Sequence, residues 1–397
     1  RGDSRGIEDQ PSRLALRTAF PSRLSAAESA WLRRLEGVPL EPPELIGPVL
    51  TASPFADARG TAADASAAAA AAAAAKSNSA ISPARAFRRG QPPSRMDSLS
   101  RLECPAWAWP HFEDAFGDGA IEQVSALRDP APLDLRVNTL KTDVASALAR
   151  LHNAGIDATR TPLSPEGVRL ARRLPLHTLP GLREGEVEVQ DEGSQLLALL
   201  VGAAAGETVA DFCAGGGGKT LAMAAHMRNK GRLVAMDIDG GRLDRGSARY
   251  IKAGVTNVQR HEISAGSDSW LKRRKRSFDR VLVDAPCSGV GAWRRNPDAR
   301  WLRRGPQLEE LLPIQAQVLE RAARLVRPGG RLVYSTCSLF PSENERQVLA
   351  FLDADREFKL DPPADFPVPL SDGFLRLTPA RHGCDGFFAA VMTRVEQ

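Results

Sequence analysis

Thr208-Val-Ala-Asp-Phe-Cys-Ala-Gly-Gly-Gly-Gly-Lys-Thr220 is an apolar run that meets four glycines and continues into a stretch rich in Ala and Met. The pattern predicts a strand, a tight turn and a helix. Glycines let the backbone approach a ligand closely, and the helix start offers free N–H donors. A nucleotide phosphate loop would need glycine five residues before Gly218, where Cys213 stands. A dinucleotide fingerprint beginning Gly215, Gly217 would need glycine at Thr220. A tight turn without a ligand would be wasteful, since four consecutive glycines forfeit much conformational entropy. What remains is a nucleoside-type cofactor, with a carboxylate closing the next strand. Asp237 ends the run Leu233–Asp237, about twenty residues on, the spacing at which an acid reaches ribose hydroxyls.

Strand-like and helix-like segments alternate outward from this loop. Candidate strands are Thr208–Cys213, Leu233–Asp237, Asp279–Asp284, Arg331–Thr336 and Phe387–Thr393, the pattern of a parallel, doubly wound α/β sheet. Upstream, Leu133–Asn138 alternates like a strand, Val144–Leu151 has helical spacing, and Val187–Gln190 reads as a strand leading into a helix near Gly193. The expected layout is a helical, partly low-complexity region over 1–128, a small α/β unit over 129–205, and the cofactor domain over 206–397. Within the first region, Ser25–Leu35 could be an amphipathic helix and Trp107–Leu127 looks helical. Nine consecutive alanines, Ala67–Ala75, fall in a stretch near 57–95 that reads as an exposed, disordered insert.

Composition sets bounds on function. The 397 residues are 43% hydrophobic and 25% charged, as in a soluble globular protein. No apolar run approaches the length of a membrane span. The formal charge of +5 leans toward a polyanion, and its placement is uneven. Lys272, Arg273, Arg274, Lys275 and Arg276 are contiguous, and Arg294, Arg295, Arg300, Arg303 and Arg304 follow. The 272–276 cluster could be a phosphate-binding face or a solvated loop. Five cysteines without a CxxC pair argue against a zinc site or a disulfide framework, and fit a reducing compartment. The sequence starts at Arg1 rather than Met, which suggests processing; its arginine-bearing start is only weakly like a transit peptide. A cytoplasmic monomer is the expectation.

Two further strand ends carry unusual chemistry. One runs into Asp284-Ala-Pro-Cys-Ser-Gly-Val-Gly291, the other into Ser335-Thr-Cys-Ser338. In an open parallel sheet such ends share one crevice, so Cys287, Cys337 and Asp284 should converge beside the cofactor loop. One cysteine at a strand end is more often a small buried hydrophobe. Two, each flanked by small polar residues, suit covalent catalysis on a pyrimidine. A thiolate added at carbon 6 makes carbon 5 nucleophilic, and the carbon 5 proton must later leave. Asp284 is placed to bind the amino edge of the base, and Lys219 to supply positive charge.

At these residues the chain resembles the Sun/Nop family of RNA cytosine-5 methyltransferases, most of all its bacterial branch acting on small-subunit ribosomal RNA. The likeness runs from Pro132 to Arg394. It includes Leu133-Asp-Leu-Arg-Val-Asn-Thr-Leu-Lys141, Val189-Gln-Asp-Glu-Gly-Ser-Gln-Leu196, Arg294-Arg-Asn-Pro-Asp-Ala-Arg-Trp301, Glu343-Asn-Glu345 and Asp385-Gly-Phe-Phe-Ala-Ala390. The resemblance implies Cys337 as nucleophile and Cys287 as the residue that releases product; DNA enzymes attack instead with the Pro-Cys cysteine. It implies a Rossmann-like fold and S-adenosyl-L-methionine held by Cys213, Ala214, Gly215, Gly216, Gly217, Gly218 and Lys219. Asp237, Glu262 and Asp284 complete that site, with no metal. RNA, ribosomal RNA foremost, is the implied partner, with phosphates met by Arg136, Lys141 and the 272–276 cluster. Trp293 and Trp301 are candidates for stacking on bases or for the core. Gly216 stands where the family has proline, and His261-Glu262 where it has Gly-Asp. The family's upstream helical domain looks truncated or replaced before residue 128. A transfer-RNA cytosine-5 methyltransferase, or a non-catalytic ribosome-assembly factor on the same fold, are the alternatives.

Overall fold

The structure, a computed structural model, describes residues 98–396 apart from 265, 303 and 304. The helix expected at Ser25–Leu35 and the alanine tract lie outside the described residues, as do Arg303 and Arg304. The chain divides after Glu103, and Cys104 onward forms one unit.

That unit begins with α1 (Trp109–Phe116) and α2 (Ala120–Ala126). Phe112 is buried edge-on to Trp293 and Phe340, so the aromatic-rich segment packs on the cofactor domain. A four-stranded antiparallel sheet follows, in the order β2 (Ala158–Arg160), β3 (Gly167–Leu170), β1 (Leu133–Val137), β4 (Val187–Val189). Helix α3 (Val144–Asn153) lies on it, capped by Asp143 accepting from the Ser146 N–H at 3.0 Å. The alternation along β1 is real: Leu133, Leu135 and Val137 join the apolar cluster of this sheet. Its other face, Asp134 and Arg136, is buried too. Asp134 accepts from Arg169 Nε and Nη2, at 2.7 and 2.8 Å, and Arg136 donates to Gln190 at 2.7 Å.

The larger sheet has the order β10 (Phe358–Leu360), β12 (Phe387–Arg394), β9 (Val326–Thr336), β8 (Phe278–Asp284), β5 (Thr208–Asp211), β6 (Arg232–Asp237), β7 (Val258–Glu262). Strands β5 to β9 pair in parallel; β12 runs antiparallel to β9 and also pairs with β11 (Phe374–Leu377). Side chains alternate between two apolar layers. Val209, Leu233, Leu282 and Val333 face α4 (Glu192–Val201) and α5 (Gly218–His226). Ala210, Val234, Val281 and Leu332 lie in the cluster that holds residues of α8 (Leu308–Ala323) and α9 (Glu345–Ala354). Between these come α6 (Gly240–Ala253) and the short α7 (Ser269–Arg273). This is the doubly wound α/β fold the alternation predicts, with β9 beginning five residues earlier than its pattern suggests. Among the described residues no helix is long and apolar enough to cross a membrane.

Candidate active site

Every residue expected at the site except Lys219 and Gly218 lies at or just beyond the carboxyl end of a parallel strand; those two begin α5. Helix α5 starts at Gly218 directly from the glycine turn, with Gly217 at φ 79°. A Cβ there would stand 2.3 Å from the Tyr250 hydroxyl, so both the backbone angle and the space demand glycine. Over the outer side of the loop the space is open: a Cβ on Gly215, Gly216 or Gly218 meets nothing nearer than 3.5 Å. Asp237 ties this turn to β6, accepting from the Gly215 N–H at 2.8 Å and the Asp239 N–H at 3.0 Å. Each carboxylate oxygen keeps a lone pair for another donor. Glu262 stands beside Asp237 in the β6–β7 register, exposed and against Gly240 at the start of α6.

Strands β8 and β9 end in register, Asp284 opposite Ser335, and the Ala285 N–H donates to the Ser335 carbonyl at 2.8 Å. That pairing brings two distant motifs together. Cys287 Sγ lies 3.4 Å from Cys337 Sγ. Gly291 holds the crossing close: its N–H donates to the Cys337 carbonyl at 3.0 Å, and its own carbonyl accepts from Gly386 at 2.9 Å. A Cβ on Gly291 would fall 2.2 Å from the Gly386 carbonyl oxygen. The Lys219 ammonium donates to Asp284 Oδ2 at 2.7 Å, and the Ser335 hydroxyl to Asp284 Oδ1 at 3.2 Å.

Burial and neighbours shape these groups. The Cys337 sulfur beside it, then burial, push the Cys287 thiol well above its ordinary value. Burial would lower Lys219, but the Asp284 carboxylate outweighs it and keeps the ammonium charged. Burial, then the Asp237 and Asp284 charges, raise the Cys213 thiol, which suits packing rather than reaction. Asp211, just below the glycine turn, was not anticipated. Burial lifts its carboxyl to about 7; Oδ2 accepts from the Thr220 hydroxyl at 2.7 Å, and buried Oδ1 has no partner. Its signal was a single acid closing an otherwise apolar strand. Glu343, part of the Glu-Asn-Glu run in the family likeness, is fully buried and accepts from both cysteine loops, at Ser288 and Ser338.

The expected RNA contacts fare unevenly. Arg136 is buried and cannot reach a phosphate. Lys141 spends its ammonium on the carbonyls of Glu184 and Lys252, at 2.6 and 2.7 Å. Arg294 and Arg295 pair with Asp385 inside the fold, and Arg300 is buried as well. In the 272–276 run, Arg274 sits 3.8 Å over the Trp270 ring and Arg276 pairs with Glu357, while Lys272, Arg273 and Lys275 are exposed. The run precedes β8, at the opposite end of that strand from Asp284. Trp293 is core; Trp301 is 58% exposed. His261 stacks on Trp270 and contacts Asp268, filling a strand end.

A family model described as 16S rRNA methyltransferase RsmB/F matches residues 198–393. One for the ferredoxin-like domain of RsmF/B-like methyltransferases matches residues 104–177. Ribosomal RNA small subunit methyltransferase B of Shewanella oneidensis is 34% identical over 303 residues, 76% of this chain and 70% of that one. The Klebsiella pneumoniae protein of the same name is 36% identical over 290 residues, 73% of this chain and 66% of that one. The chain thus spans about two thirds of the length of these relatives. The solved structure of a methyltransferase homolog protein from Pyrococcus horikoshii superposes with a TM-score of 0.65 at 31% identity, covering 77% of this chain and 100% of that one. S-adenosylmethionine is the cofactor of these methyltransferases, and the open glycine cradle with Asp237 at its edge fits such a nucleoside. From its four-stranded antiparallel unit to its paired strand ends, this chain belongs to the RsmB/F family of 16S rRNA methyltransferases.

Proposed function

We propose that the protein methylates carbon 5 of a cytosine in RNA, ribosomal RNA foremost, through a transient bond between Cys337 and the base. The observation that carries this reading is the 3.4 Å approach of two sulfurs at adjacent strand ends, beside the glycine cradle. An N- or O-methyltransferase has no use for such a pair. A ring carbon, which must be activated and then relieved of a proton, needs one group for each task.

Bound S-adenosylmethionine would supply an electrophilic methyl group whose leaving group is a neutral thioether. The loop Cys213–Lys219 would hold it, with Asp237 on the ribose and Glu262 bordering the base. Asp284 receives the amino edge of the flipped cytosine, and Lys219, 2.7 Å from that carboxylate, stabilises the charge that spreads through the ring. Cys337 is the sulfur that attacks, the role the family motif gives it, with Cys287 waiting 3.4 Å away. Its lone pair forms the bond to carbon 6, and the 5,6 double-bond electrons become available at carbon 5 for the methyl. Once Cys337 is bonded to carbon, Cys287 gives its own proton to water. The Cys287 thiolate takes the proton from carbon 5, the double bond re-forms, and the sulfur–carbon 6 bond breaks to return the Cys337 thiolate. One proton is released per methyl transferred.

An exposed, unstacked base is required, which single-stranded or looped RNA provides. The reading makes the protein a cytoplasmic monomer whose partner is RNA and whose chemistry needs no metal. The test is to incubate it with 16S ribosomal RNA and methyl-labelled cofactor, then digest to nucleosides. Label in 5-methylcytidine supports the proposal; label confined to any other nucleoside refutes it.

A further inference from the structure

We infer that Glu343 is a positioning residue that fixes the distance between the two cysteines, an inference that rests on the cysteine chemistry above. The two loops pair in step. Beside the 3.4 Å contact of Cys287 with Cys337, the hydroxyls of Ser288 and Ser338 stand 3.3 Å apart. The fully buried Glu343 carboxylate grips both. Its Oε1 accepts from the Ser288 N–H at 2.7 Å and from Gln315 Nε2 at 3.0 Å; its Oε2 accepts from the Ser288 and Ser338 hydroxyls. Gln315 also donates to the Pro286 carbonyl at 3.0 Å, so Cys287 is held on both flanks. Glu343 is itself anchored, its carbonyl accepting from the Tyr334 hydroxyl at 2.7 Å. The next residue, Asn344, donates to the Ser338 carbonyl at 3.1 Å.

This clamp matters at one step more than at others. Cys337 alone suffices to attack carbon 6. Removing the proton from adjacent carbon 5 requires Cys287 to stay within contact distance of a sulfur now bonded to the base. Loops that part by an ångström leave addition possible and stall elimination. Glu343→Ala, with both cysteines present, should therefore accumulate the covalent RNA complex. Its kcat should fall roughly a hundredfold, the size expected for such a misplacement, with little change in KM for the cofactor. Glu343→Gln keeps the shape and Oε1, and the serine hydroxyls can turn to accept from its amide. It should recover at least ten-fold of that loss, retain the wild-type pH–rate profile and show no accumulated complex.

If Glu343→Ala fails to fold, seen as lost cofactor binding, the double variant Ser288→Ala, Ser338→Ala cuts the Oε2 half of the clamp and should accumulate the complex. A clamp variant that turns over at the wild-type rate would overturn the inference. So would a Glu343→Gln as slow as Glu343→Ala with a displaced pH profile, which would make the carboxylate a proton carrier. Cys287→Ala is the control. A complex there but not in the clamp variants defeats this inference alone, whereas its absence in both defeats the cysteine chemistry.

Discussion

At the amino-terminal ends of the parallel strands, Arg276 reaches Glu357, Arg280 reaches Glu207 and Arg327 reaches Asp279, all at 2.6–2.7 Å. At the carboxyl ends of the parallel strands stand Asp211, Asp237, Asp284 and the two cysteines, with Lys219 at the start of α5 paired to Asp284. The first set is partly solvated, with Arg276 43% and Glu357 34% exposed. Such pairs are screened and contribute little. At the other edge burial raises Asp211 and Cys213 above their ordinary values, and the Cys337 sulfur, then burial, raises Cys287. One sheet thus uses charge in two ways. At one edge it joins strands at small gain, and at the other it is buried, a condition that makes groups reactive.

If that contrast is right, the largest stability effect belongs to the carboxyl edge. Asp211, raised to about 7 by burial, holds a proton in the folded state that the unfolded chain releases near its ordinary 3.8. Its contribution is therefore full below pH 4, declines as pH rises to 7, and is constant beyond. Asp211→Asn cannot ionise and still accepts from Thr220. Its stability advantage over wild type should widen from pH 5 to pH 8, toward a ceiling of about 4 kcal/mol. Denaturant midpoints at the two pH values measure it. A gap that stays constant would mean Asp211 is not held protonated, and the contrast between the edges would weaken.

The amino-terminal edge should respond far less. Arg276→Gln should cost under about 1 kcal/mol, and the difference should shrink in high salt. A loss above about 2 kcal/mol that persists at high salt would show that this edge, too, depends on its ions.

The sequence made the carboxyl edge readable because its chemistry sits in short contiguous runs. Gly215–Lys219, Asp284–Ser288 and Ser335–Ser338 each announce a strand end by themselves. The clamp by Glu343 was not readable, because it depends on the β8–β9 register that sets Asp284 opposite Ser335. Strands β2, β10 and β11, of three or four residues, are too short to show a period. Pro328-Gly329-Gly330 disguised the start of β9 as a turn. Basic residues misled most: Arg136 and Lys141 read as phosphate contacts, yet Arg136 is buried on Gln190 and Lys141 is spent on backbone carbonyls. A charge pattern does not reveal which face another domain will cover.

The division of labour between the two sulfurs is the central claim, and covalent trapping tests it most directly. Cys287→Ala, Cys337→Ala and the double variant are each incubated with 16S ribosomal RNA and S-adenosylmethionine, then run on a denaturing gel. Cys287→Ala should methylate once and remain bonded to RNA, giving a retarded band that ribonuclease removes; the other two should give none. A retarded band from Cys337→Ala and none from Cys287→Ala would reverse the roles, and full turnover by both single variants would contradict the two-sulfur mechanism outright.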